Sequence, residues 1–262
     1  MGKSLCLFWH SSIGKKIVVA LTGLLLVGFL LAHMTGNLLV FVGREAMNDY
    51  AEFLHHLFHG AGIWIARIGL LLAFFLHIFA TVSLTRQNKK ARKKKYARGA
   101  TVTASRSSRI MIISGLIILA FVVFHILHFT VRIDPDLANL KDPDHPERFD
   151  AYGMVIKGFG VPWVAVFYVV AISLLCSHLS HGIASIFQTL GLRTSQTKDA
   201  TKGLSWIITI LLWIGFLVIP LSILFGIVKD GKSSALNPSE REGEVAELNG
   251  FSSIPISVSS AE

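Results

Sequence analysis

Six of the eleven histidines in this 262-residue chain fall deep inside apolar stretches: His33, His77, His125, His128, His178 and His181. An ionisable side chain in the hydrocarbon region of a bilayer is costly, which makes each a candidate for function. The bland alternative for any one of them is a neutral imidazole hydrogen-bonded across a helix interface. Depth separates the two readings. His33 lies seventeen residues past Lys16, which at about 1.5 Å per residue is roughly 25 Å from that edge of the membrane. His77 lies nine residues before Arg86, roughly 13 Å from the same edge. His125, sixteen residues past Arg109, matches His33, and His178, fifteen before Arg193, is a looser match to His77. The four sort into two levels, His33 with His125 and His77 with His178, each supplied by two different spans. Two neutral imidazoles on opposite sides of one iron are the ligand set of a low-spin b haem, and two haems roughly 12 Å apart in depth would carry electrons across much of a bilayer.

Neither level is unambiguous from spacing. His125 and His128 are three apart on nearly one helix face, as are His178 and His181, so either member of each pair can reach an iron. The second histidine could instead bond a haem propionate or line a quinone pocket. Gly23, Gly28, Gly69, Gly115 and Gly182 could admit a flat macrocycle, although glycine in membrane helices more often serves helix packing. His55, His56 and His59 resemble a metal-binding arrangement but read as surface residues, and His10 beside Trp9 reads as an interfacial anchor.

Imidazoles at those depths need helices that cross a bilayer. The residues are 52% hydrophobic and 16% charged, with a mean hydropathy of +0.59, which excludes an ordinary water-soluble domain of this length. A bilayer core of roughly 30 Å takes about 20 apolar residues per helix. Five stretches qualify, at about residues 16–42, 62–85, 109–132, 160–190 and 204–228. The expectation is an all-α integral membrane protein: residues 1–228 form one five-helix domain, with a haem-binding core from the four histidine-bearing spans and the fifth span beside it. The first span is retained, because its apolar run is too long for a signal-peptide core and passes His33, Gly36 and Asn37 without a small-residue cleavage site.

Charge distribution orients these spans. Residues 86–109 hold ten basic residues and no acidic one, whereas residues 132–150 hold three basic and six acidic. Positive charge collects in short cytoplasmic loops, so the basic loop is expected inside, the N-terminus inside and the C-terminus outside. This distribution accounts for the net charge of +9 without nucleic acid. Apolar residues at helical spacing from Ala46 to Phe58 predict a short amphipathic helix in the outer interface. Residues 229–262, rich in Ser, Glu and Gly, read as a disordered tail. Cys6 and Cys176 should lie at different depths, so no disulfide is expected, and without C-x-x-C-H any haem is held by ligation alone.

Several segments together carry a family resemblance. They are Ser11-Ser12-Ile13-Gly14-Lys15-Lys16, His33-Met34-Thr35-Gly36-Asn37-Leu38, His77 followed by Asn88 and the basic run to Tyr96, Phe124-His125-Ile126-Leu127-His128-Phe129, and His178-Leu179-Ser180-His181-Gly182 through Phe187-Gln188-Thr189-Leu190-Gly191. In order, spacing and helix count, residues 8 to 228 resemble the di-haem cytochrome b subunit (b558 type) of succinate dehydrogenases and fumarate reductases, the succinate:quinone oxidoreductases of respiratory complex II and the tricarboxylic acid cycle. The resemblance implies a bacterial cytoplasmic-membrane anchor with two b haems. It would dock a flavoprotein and an iron–sulfur subunit on the cytoplasmic side and exchange electrons with menaquinone. It also implies His178, followed four residues later by Gly182, over His181, and His125 over His128. Inner-haem ligation would then fall to His77 and His178, and outer-haem ligation to His33 and His125.

Cys176 stands where some fumarate reductases of this family carry a glutamate, which favours the succinate-oxidising direction. The chain has no flavin motif and no arginine cluster for a dicarboxylate, so that chemistry belongs to partner subunits. Lys89 to Lys95 could join their docking surface, although a topology role explains them equally well. One rival is the cytochrome b subunit of a hydrogenase or formate dehydrogenase, which would share the haems but not the motif order. Another is a transporter relaying protons through buried histidines, which broken helices or repeat symmetry would favour. The sequence reading finds neither feature.

Overall fold

The computed structural model describes residues 8–91 and 106–230. Among these, 82% are helical and there is no strand, and five helices are long and apolar enough to cross a membrane. The protein is an all-α, multi-pass membrane protein. Cys6, most of the Lys89 to Lys95 run and residues 231–262 lie outside the described residues.

The spanning elements start and stop where local chemistry dictates. Helix α1 (Ser12–Asn37) is capped by Ser11, whose hydroxyl accepts from the Gly14 amide at 2.8 Å, satisfying one of the free N–H groups of the first turn. It tightens into a 3-10 turn (Leu38–Phe41) and stops at Gly43, whose φ of +133° turns the chain into α2. Helix α2 (Arg44–His56) is the amphipathic helix the spacing predicts. Helix α3 (Ala61–Ala91) and α4 (Arg106–His125) follow, and α4 runs on as a π-helix (Ile126–Val131) that ends at Arg132, with φ +57°. The widened turn begins directly after His125, and such turns recur at functional sites.

The segment at 133–159, expected as a loop, folds into two more helices. Asp134 caps α5 (Pro135–Ala138), and Asp150 caps α6 (Ala151–Gly160) by accepting from the Gly153 amide at 2.9 Å. Carboxylates are strong N-caps, and two of the acidic residues that orient the chain do this local work. Helix α7 (Pro162–Thr189) begins with proline at its first turn, and α8 (Lys198–Leu224) starts six residues earlier than its apolar run, with Asp199 in its first turn where a negative charge favours the helix N-terminus.

Helix α7 is the centre of the bundle, packed against α1, α4 and α8, and α3 lies along α1. Tyr168, Ile172, Cys176, Leu179 and Ile183 of α7 form the spine of the core, joined by Val27 and Met34 of α1 and Leu212 and Ile219 of α8. Large apolar side chains such as Leu24, Phe75, Ile113, Val166 and Ile207 face outward, as lipid as solvent allows.

One end of the bundle carries a polar cap of α2, α6 and the chain between α5 and α6. Asn48 is fully buried there. Its amide donates to Asp142 at 2.7 Å and Asp150 at 3.0 Å, and its oxygen accepts from the Tyr152 amide at 2.9 Å. Arg148 pairs with Asp142, Asp49 and Glu45 at 2.7, 2.6 and 2.9 Å. Burial alone would raise the Asp142 pKa, but hydrogen bonds from Asn48 and Arg148 outweigh it and bring the carboxyl to about 2. Lys229 and Asp230, which open the expected disordered tail, are bound to this cap: Asp230 pairs with Arg44, and the Lys229 carbonyl accepts from the Tyr152 hydroxyl at 3.0 Å.

Candidate ligand sites in the bundle

At one level of the bundle α1 faces α3 through Thr22 and Gly23. The Thr22 hydroxyl donates to the Val18 carbonyl at 2.7 Å and lies 3.0 Å from Nδ1 of His77. With its proton directed to the carbonyl, the shorter of the two contacts, the hydroxyl accepts from the ring, and this assignment puts the His77 proton on Nδ1 and its lone pair on Nε2. Helix α4 faces α7 in the same way. The Ser114 hydroxyl lies 3.0 Å from the Met111 carbonyl and 3.0 Å from Nδ1 of His178, and a proton directed to that carbonyl gives His178 the same tautomer. A Cβ added at Gly23 would stand 3.4 Å from Cε1 of His77, and one at Gly115 3.8 Å from Cε1 of His178. Both are ordinary van der Waals distances, so the rings pack against these helices without needing glycine there.

At the second level His33 of α1 and His125 at the end of α4 meet directly. Their ring centres are 5.8 Å apart with planes at 86°. A separation of this size would leave room for one metal ion held by a nitrogen of each ring at about 2 Å. Phe216 of α8 lies 6.0 Å from His33, and Phe121 lies 6.0 Å from His125. The hydroxyl of Tyr168, on α7, is 3.3 Å from Nδ1 of His125 and 3.2 Å from Nδ1 of His128. His128 turns from His33 toward α6, where a Cβ added at Gly158 would come within 3.2 Å of it.

The structure therefore brings His33 and His125 into ring contact and sets His77 at the α1–α3 interface and His178 at the α4–α7 interface, while His128 shares the Tyr168 hydroxyl with His125. The donor chemistry would suit a haem iron, which His33 with His125 and His77 with His178 would hold through imidazole nitrogens from different helices. Of the other glycines, an added Cβ at Gly28, Gly69 or Gly182 meets nothing within 4 Å. His56 is exposed beside Glu52 at 3.7 Å, and among the described residues no three His, Cys, Asp or Glu side chains group as metal ligands.

Sequence reasoning missed Thr22, Ser114 and Tyr168. It also missed an internal repeat. Thr22-Gly23 precedes His33, and Ser114-Gly115 precedes His125, with eleven residues from hydroxyl to imidazole in both helices. Each half then adds a polar connection with short helices and a returning span that carries the other histidine. Helix α1 corresponds to α4, and α3 to α7, so each level is built from equivalent helices of two parallel halves. Eleven residues of helix put the levels about 16 Å apart. This is wider than the roughly 12 Å measured from charged edges, because the ring contacts rather than the charges fix the register.

No family model, curated protein or solved structure matches this chain.

Proposed function

We propose that this protein is the membrane anchor and electron-transfer subunit of a succinate:quinone oxidoreductase. In this reading His77 and His178 hold an inner b haem, and His33 and His125 an outer one. Bound there, the two haems exchange single electrons and so link an iron–sulfur partner at the cytoplasmic face with menaquinone near the other. The observation that carries the reading is the ring contact of His33 and His125, 5.8 Å between centres, with His77 and His178 held at neighbouring helix interfaces at a second depth.

The chain's own contribution is positional. Thr22 and Ser114 hold the inner imidazoles in the tautomer that presents Nε2, and Tyr168 anchors the Nδ1 side of His125. The apolar helices around them exclude water. The basic stretch after α3 faces the cytoplasm, where it meets the flavoprotein and iron–sulfur subunits, and the capped end faces outward. Succinate oxidation is the favoured direction, with Cys176 rather than a carboxylate two residues before His178.

The repeat gives one rival a specific foothold, since transporters are often built from repeated halves. A reduced-minus-oxidised spectrum separates the two. The haem reading requires a b-type band and two haems per chain by pyridine haemochrome assay, and a colourless, folded protein overturns it. Co-purification of a flavoprotein with succinate dehydrogenase activity then distinguishes this assignment from a hydrogenase or formate dehydrogenase cytochrome.

A further inference from the structure

The geometry points to Thr22 and Ser114 as positioning residues that tune the inner haem by accepting a hydrogen bond from the Nδ1–H of its ligands, His77 and His178. The inference rests on the haem reading above and goes beyond it, because it assigns a redox role to two hydroxyls that touch neither iron nor macrocycle.

Three observations carry it. Each hydroxyl lies within hydrogen-bond distance of a backbone carbonyl about one turn earlier, Val18 at 2.7 Å and Val19 at 3.2 Å for Thr22 and Met111 at 3.0 Å for Ser114, and with its proton directed there it meets the ring as an acceptor. Each is followed by a glycine whose bare backbone lies under the same ring's Cε1. The hydroxyl–glycine pair also occurs at the equivalent place in both halves of the repeat, against a histidine from the equivalent returning helix. A hydroxyl that serves only its own helix needs none of this. Thr35 and Thr81 make the same carbonyl bonds, at 2.9 and 2.7 Å, with no ring nitrogen among their hydrogen bonds in the described residues.

An acceptor on Nδ1–H increases the basicity of Nε2 and fixes the ring's rotation, and loss of such a partner typically costs about ten- to a hundredfold in metal affinity. A more basic ligand favours ferric over ferrous iron. Removing the acceptor should therefore raise the midpoint potential of the inner haem and loosen it, with the outer haem unmoved.

The test uses the full-length protein purified with haem. Thr22→Val and Ser114→Ala are compared with wild type, with the conservative Thr22→Ser and with Thr35→Val as a control. Readouts are haem content, potentiometric titration of the b bands and the electron paramagnetic resonance of the ferric protein. Titration in a His33→Ala background identifies the inner haem. Expected are an upward shift of the inner potential in Thr22→Val and Ser114→Ala, recovery in Thr22→Ser, and no change in Thr35→Val. Two haems with unaltered potentials in both variants overturn the proposal and leave the haem reading standing. Loss of the inner haem in Thr22→Ser as much as in Thr22→Val also overturns it, because the hydroxyl is then not what matters. A wild-type protein that binds no haem removes the haem reading and this proposal together.

Discussion

Tyr168 places its hydroxyl 3.3 Å from Nδ1 of His125, in a pocket of aromatic rings where the tyrosine is almost wholly buried. The same hydroxyl reaches Nδ1 of His128 at 3.2 Å. A phenol has one proton and accepting lone pairs, so it can accept from one imidazole and donate to the other. Tyr168→Phe should leave both haems bound and shift the potential of the outer one alone, read by redox titration. An unmoved outer potential would reduce Tyr168 to a packing residue.

Ligand identity is tested by counting haems. His33→Ala and His125→Ala should each leave one haem per chain, the inner, and His77→Ala and His178→Ala should each leave the outer. His128→Ala and His181→Ala should retain two. Two full-strength haems in His178→Ala would transfer its assignment to His181.

Packing around the outer level is close. A Cβ at Gly158 would lie 2.7 Å from Cε1 and 2.9 Å from Cζ of Phe129, a rigid ring, as well as 3.2 Å from His128. Gly158→Ala should cost about 1–3 kcal/mol in thermal stability and disturb the outer haem's spectrum before the inner's. Phe129→Leu in the same chain should recover most of the loss. Equal stability of Gly158→Ala and wild type would show that α6 can retreat without cost.

The polar cap has its own pH dependence. Asp142 is buried and hydrogen-bonded to Asn48 and Arg148, which hold its pKa at about 2, below the usual carboxylate range. A folded-state pKa below the unfolded one contributes stability above about pH 4 that disappears as pH falls toward 2. Asp142→Asn should therefore be less stable than wild type at neutral pH, by about 3 kcal/mol for breaking a buried pair, and the gap should narrow between pH 4 and 2 in detergent melts. A gap that is constant over that range would remove the carboxylate's charge from the explanation.

Much of this was legible in the residues. Hydropathy located five spans because lipid demands long unbroken apolar helices, and the spacing from Ala46 to Phe58 located α2 because an interfacial helix shows its amphipathic period plainly. The pairing of His33 with His125 followed from depth, which a helix converts directly from sequence separation. Helices α5 and α6 were not legible, since they owe their starts to Asp134 and Asp150, and those acids read first as topology charges. Thr22 and Ser114 escaped for a different reason. A hydroxyl in a membrane helix ordinarily bonds its own backbone, and only the facing ring reveals a second use. Spacing alone put His125 and His128 on one face, and both do reach the Tyr168 hydroxyl; the ring contact with His33 is made by His125, the one the family resemblance implied.

The parallel halves have a consequence for how this molecule can be taken apart. A fragment ending after α3 owns one imidazole for each storey but no complete pair, and the fragment beginning at α4 is deficient in the same manner. Pigment should therefore appear only when the severed pieces find each other again, or when two copies of one piece associate to imitate the missing half.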